Sequence, residues 1–253
     1  MLYADTSHSF FDGDVSVLRY CPGRLSDFRK QSDLSEIARL LADIHSTPLP
    51  QDCKLRVCAD MVPALMEQAQ DEYAYYERSS CADQHVLSRV SRLFDLAQQA
   101  VKDCPDLPED DAHHLLHCEP IFDHFVMDDD GWGMLIDWET AGIGEVARDV
   151  AGMLTPTSAI CGDFLFTRDG MDAFIEEYWR AVDGRFTQGA FFERLPACEA
   201  VEALRGITWA LKTTVEYQEG SPALRNDYTW HMVETYLADE FLDMIENDIL
   251  LRH

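Results

Sequence analysis

HCEPIFDHFVMDDDGWGMLIDWETAGIG, residues 117–144, reads as a strand end, a tight loop, a hairpin and a second strand, with acidic and imidazole groups where the strands stop. The apolar pair Leu115–Leu116 delivers His117, Cys118 and Glu119, and His124 follows seven residues after His117. A second apolar run, Met134–Leu135–Ile136, ends on Asp137. Carboxylate and imidazole groups at the tips of neighbouring short strands can clamp a metal–phosphate complex without a dedicated cage of ligands.

Working outward, residues 2–5 and 15–21 read as two strands joined by a polar turn holding Gly13 and Asp14, and Pro22–Gly23 stops the second. The run DLSEIARLLADIHST then predicts a helix capped by Asp33 or Ser35, with Ile37, Leu40, Leu41 and Ile44 on one face. Two helical patterns follow, over 58–79 and 84–102, and CPDLPEDD breaks the chain before the strand that ends at His117. Downstream, helices are expected over 145–154, 170–182, 196–217 and 228–245. The last carries the stripe Trp230, Val233, Leu237, Phe241 and Met244, which reads as a core-facing side. No internal repeat or low-complexity linker interrupts this order, so the expected class is α+β and mostly helical.

With 47% hydrophobic residues the chain is globular, and no apolar run approaches the roughly eighteen residues of a membrane span. Its first residues lack the basic and apolar regions of a signal peptide, so a cytoplasmic, membrane-free protein is expected. A net charge of −27 argues against a nucleic-acid partner, whose phosphates would be repelled. The eight cysteines are scattered and read as reduced, buried small hydrophobes. Cys104, His113, His114, His117 and Cys118 lie close in sequence but match no standard zinc spacing. GIGEVA (142–147) fits a dinucleotide fingerprint, yet Glu145 would set a negative charge against a bound pyrophosphate.

The outline H-C-E-x-x-x-x-H, hairpin, I-D-W-E resembles the H-G-D-x-x-x-x-N, hairpin, I-D-W/F-E pattern of the aminoglycoside phosphotransferase and choline kinase family. That resemblance implies a protein-kinase-like fold. Residues 1–23 would be a two-strand remnant of the N-lobe with its hinge. Residues 24–253 would form a helical C-lobe with a catalytic-loop-like region at 115–144. It also implies ATP and Mg²⁺ as cofactors, and a small-molecule hydroxyl or amino-alcohol as acceptor. By position, Glu119 and His117 fall in the catalytic motif, and Asp137 and His124 at the metal positions. Arg19, Tyr20 and Cys21 lie on the hinge that would meet the adenine. Asp149 resembles the aspartate that braces the catalytic loop, and Trp209, Glu216, Tyr217 and Trp230 are of the type that receives a cationic amine.

Three positions depart from the pattern. Glu119 replaces an aspartate and extends its carboxylate by one methylene; a displacement of about 1 Å can cost roughly a hundredfold in rate. His124 replaces an asparagine, and imidazole suits Zn, Ni or Mn better than Mg. Cys118 replaces a glycine, which implies a changed loop if that glycine served for its backbone angles. Only fourteen residues precede the hinge strand, too few for a glycine-rich phosphate loop and a strand with its lysine. The expectation is therefore a phosphotransferase that is weak or inactive in this form. The alternatives are a non-catalytic, pseudokinase-like binding module or subunit, or a fragment of a complete small-molecule kinase. Self-association into a homo-oligomer is a further expectation.

Overall fold

A computed structural model describes residues 2–58, 60–159, 165–220 and 226–251. The chain opens with a two-stranded antiparallel ribbon, β1 (Tyr3–Asp5) against β2 (Val15–Val17), in which Tyr3 faces Val17 and Asp5 faces Val15. The second strand ends at Val17, four residues before the expected boundary, and Leu18 and Tyr20 stand exposed beyond it. Gly23 then passes so close to the Met127 carbonyl that a Cβ could not fit, at a φ of +153° that favours glycine. This contact seats β3 (Arg24–Leu25) against β6 (Phe125–Met127), which pairs in turn with β7 (Gly133–Leu135).

Helix α1 (Gln31–His45) starts before both expected caps. Asp33 lies in its first turn, buried, where its two oxygens accept from Arg24 at 2.6 and 2.8 Å and from the Asp27 N–H at 2.8 Å. Its carboxylate binds the incoming strand instead of capping the helix. Helices α2 (Met61–Glu77) and α3 (Gln84–Asp103) are capped by Asp60, which accepts from Val62 N–H, and by Asp83, which accepts from His85 and Val86 N–H.

A second three-stranded sheet places β8 (Gly142–Gly144) between β4 (Arg56–Val57), parallel to it, and β5 (His114–Leu116), antiparallel. Its glycines are fixed by packing: a Cβ on Gly142 would meet the Cys58 sulfur, and one on Gly144 the Leu116 side chain. Glu145 faces no phosphate site. It is buried, and its two oxygens accept from Arg194 at 2.7 Å each. Arg194 also reaches Asp60 at 2.7 Å and the Pro105 carbonyl, so one guanidinium ties α2, the loop before β5 and the start of α4 (Val146–Leu154).

After α5 (Pro156–Ala159) and α6 (Arg168–Val182), which packs on α1, the 29-residue α7 (Phe191–Glu219) runs through the core against α2, α3 and α4. It begins five residues before the expected Pro196. That proline removes only one N–H bond, near the helix start. The single helix expected over 228–245 is two, α8 (Asp227–Tyr236) and α9 (Asp239–Met244), followed by a π-helical turn over Ile245–Leu250. The break at Ala238 lets Tyr236 stack on Phe241 with ring centroids 4.9 Å apart, which residues five apart on one continuous helix could not do. Among the described residues, no helix is long and apolar enough to cross a membrane.

Candidate active site

The loop after β5 is held from below by Asp149 on α4. One Asp149 oxygen accepts the His117 N–H at 2.7 Å and the other the Cys118 N–H at 2.9 Å. His45, on α1, donates through Nε2 to the same carboxylate at 3.3 Å, and its Nδ1 lies 2.7 Å from the Tyr178 hydroxyl. Asp149 is completely buried. Burial works to raise its pKa, but the His45 hydrogen bond, the His45 and Arg148 charges and the backbone N–H of His117 outweigh it and hold the carboxyl below its ordinary value. The bracing role expected of Asp149 is thus visible bond by bond.

Cys118 sits at φ +70°, a left-handed conformation that side chains other than glycine, asparagine and aspartate rarely adopt. The cysteine itself takes up a glycine-like angle, pinned by Asp149. Its sulfur is buried 3.9 Å from that of Cys58, and burial pushes the thiol up to about 12, so it stays protonated and is no nucleophile. His117 is fully buried, with Nε2–H donating to the Ile136 carbonyl at 2.8 Å and the ring edge-on to Trp138. Burial moves its pKa down. Its ring fixes the strand end that carries Asp137 and does not present a proton to the cleft.

Glu119 follows the turn and stands a third exposed at the mouth of a cleft lined by Arg205, Trp209, Met232 and Tyr236. Its Oε1 lies 3.5 Å from Arg205 Nη1. The Glu119 carbonyl accepts from His124 Nδ1 at 2.9 Å, which obliges Nδ1 to carry the proton and leaves Nε2 of a neutral ring with a bare lone pair. That lone pair lies 3.5 Å from Asp137 Oδ2. Asp123 Oδ1, buried and without a hydrogen-bond partner among the described residues, stands 4.0 Å from the same nitrogen. Asp137, half exposed, is at φ +64°, and the Ile136 N–H bonds back to the His124 carbonyl at 2.9 Å, which holds both residues together.

Asp137 and His124 would offer a divalent cation two donors, and its other positions would fall to water and phosphate oxygens. Asp123 stands farther off, and its buried oxygen lacks a hydrogen-bond partner among the described residues. Among the described residues no group of three or more His, Cys, Asp or Glu side chains is placed to hold a metal ion. The five soft ligands from Cys104 to Cys118 do not assemble: His114 Nδ1 donates to the His45 carbonyl, and Cys118 faces Cys58.

Arg19 and Tyr20 are exposed, Tyr20 to 81%, and Cys21 is half-buried. Of the four expected substrate-binding side chains only Trp209 reaches the Glu119 cleft. Tyr217 and Trp230 stack on each other at 5.8 Å beside a different hollow, and Glu216 pairs with Lys212 at 3.8 Å. Two residues escaped the sequence reading. Asp123 is one. Arg205 is the other, and its signal was its place one helical turn before Trp209.

The profile of the phosphotransferase enzyme family matches residues 3–192. The chain belongs to that family. No curated protein sequence matches. Solved structures with the same protein-kinase-like fold include a choline/ethanolamine kinase family protein from Mesorhizobium loti (16% identity, TM-score 0.59, 97% of this chain and 77% of that one). Choline kinase from Streptococcus pneumoniae aligns with 16% identity and a TM-score of 0.54, covering 87% of this chain and 67% of the other. Spectinomycin phosphotransferase in complex with ADP and spectinomycin aligns at 14% identity and TM-score 0.53, over 89% and 65%. The chain thus spans between 65% and 77% of the length of these three proteins.

Proposed function

We propose that the chain carries out ATP-dependent phosphoryl transfer to the hydroxyl of a small molecule, slowly with Mg²⁺. The observation that carries this reading is the Asp149 brace: it holds the positive-φ loop so that Glu119 faces the cleft while Asp137 and His124 stand together behind it. Asp137 and His124, with Asp123 beside them, would hold the metal, and the backbone of Arg19, Tyr20 and Cys21 would receive the adenine. Bound there, metal-ATP supplies a γ-phosphoryl group whose negative charge the cation offsets. Glu119 accepts the proton of the acceptor hydroxyl as that oxygen bonds to phosphorus and the bond to the ADP oxygen breaks. His117 positions and does not transfer a proton. The kinases of similar fold act on choline and spectinomycin by name, which supports a small polar acceptor.

A second reading, a non-catalytic nucleotide-binding relative, is favoured by the Arg205–Glu119 pairing, which engages the carboxylate that would serve as base, and by the imidazole at a metal position. The test is phosphate transfer from ATP to aminoglycosides, choline and related alcohols, with Mg²⁺ or Mn²⁺. Slow turnover abolished by D137A supports the first reading. No turnover, with nucleotide still raising the melting temperature, supports the second.

A further inference from the structure

Arg205 is the one cation lining the Glu119 cleft among the described residues, and its placement bears on which acceptor fits there. Its Nε donates to Glu202 at 2.7 Å. Glu202 is buried and shared with Arg148 at 3.3 Å, so the guanidinium is anchored from behind by a carboxylate that solvent cannot reach. The Arg205 side chain as a whole is a quarter exposed: Nη1 stands 3.5 Å from Glu119, and Nη2 has no hydrogen-bond partner among the described residues. Trp209, one turn further along α7, and Tyr236, edge-on to it at 6.2 Å, make an aromatic wall on the same cleft. The Tyr236 hydroxyl is occupied by the Thr157 carbonyl, so that wall offers area and no charge.

We infer that the acceptor is a hydroxy acid, whose carboxylate pairs with Arg205 while its hydroxyl faces Glu119. An ammonium group in this cleft would meet the guanidinium, and the only carboxylate available to it would be the base itself. A carboxylate instead completes the planar fork of Arg205. The same placement serves the reaction. When Glu119 takes the hydroxyl proton it becomes neutral and no longer balances Arg205, and the substrate carboxylate then does. With a net charge of −27 repelling anions at long range, Arg205 is also the local group that would draw one in.

The inference rests on the phosphotransferase reading for the role of the hydroxyl, but the carboxylate contact is testable alone. Isothermal titration of the full chain with glycerate and 3-hydroxybutyrate, and in parallel with ethanolamine and choline, is run with and without Mn²⁺ and a non-hydrolysable ATP analogue. The hydroxy acids are expected to bind saturably and to weaken about thirtyfold or more in R205M. R205K, which keeps the charge and loses the fork, should fall between, and E119Q should bind the acids more tightly. Circular dichroism and melting of each variant establish that it is folded. Hydroxy-acid binding that persists without any nucleotide binding or turnover retains this inference and removes the kinase reading. Preference for the amino-alcohols, binding unchanged in folded R205M, or binding of neither set overturns it.

Discussion

Asp149 Oδ1 accepts the Cys118 N–H at 2.9 Å while Cys118 is held at φ +70°. The brace and the strained residue are one device: the bonds to the aspartate offset a backbone conformation that a cysteine would otherwise leave, and Glu119 is the next residue along.

Removing the brace should cost more than any other single change in the loop. D149A leaves two buried N–H groups and the His45 ring without their partner, and breaking such a buried polar cluster costs about 3–5 kcal/mol. Urea denaturation of wild type and D149A measures it. A loss below about 1 kcal/mol would mean the loop is held by other contacts.

At position 118 the sign depends on shape. C118G relieves a left-handed strain of about 1–2 kcal/mol but gives up a buried sulfur and adds unfolded-state freedom, so its net effect should stay within about 1 kcal/mol. C118V, β-branched at the same angle, should destabilise by about 2 kcal/mol or more. Equal effects of the two substitutions would argue against a backbone cause.

Stability should fall on mild acidification. Burial lowers the pKa of both His114 and His117 from 6.5, so the unfolded chain binds protons more readily than the folded one. Their contribution is complete above about pH 6.5 and declines as pH drops toward the folded values, by at most about 1.4 kcal/mol per pH unit for each ring. Asp149, lowered from 3.8, adds a further loss only below about pH 4. Denaturation midpoints at pH 7, 6 and 5 check the sign, and H114Q should flatten the slope in that range.

The metal preference should follow His124. With Nδ1–H bound to the Glu119 carbonyl, the free Nε2 lone pair favours a nitrogen-tolerant ion. Wild type should therefore take Mn²⁺ with a nucleotide at least tenfold more tightly than Mg²⁺, and H124N should narrow the gap. Titration calorimetry with each metal and ADP reads this directly, and a gap unchanged in H124N would exclude the histidine as a ligand.

Much of this arrangement is legible along the chain because it is local. Asp137 follows an apolar run, Asp149 sits in a short helix at a recognisable distance, and α2, α3 and α4 announce themselves by their helical patterns. What escaped depends on partners far away in sequence. Asp33 looks like a cap until Arg24 claims it, and Pro196 looks like a helix start although the helix begins at Phe191 and already buries Arg194. Arg205 reads as a helix-surface charge; only the fold brings it to Glu119, 86 positions earlier in the chain. The backbone angles of Cys118 could be anticipated, but whether the loop or the residue would yield was decided by the bonds from Asp149.

In the proposed reaction Asp137 and His124 hold a metal–nucleotide complex. The most direct measurement is titration of wild type and D137A with a non-hydrolysable ATP analogue in the presence of Mn²⁺. Saturable binding by wild type, weakened tenfold or more in a folded D137A, is the predicted result. No binding by wild type, or equal binding by the two proteins, would contradict it.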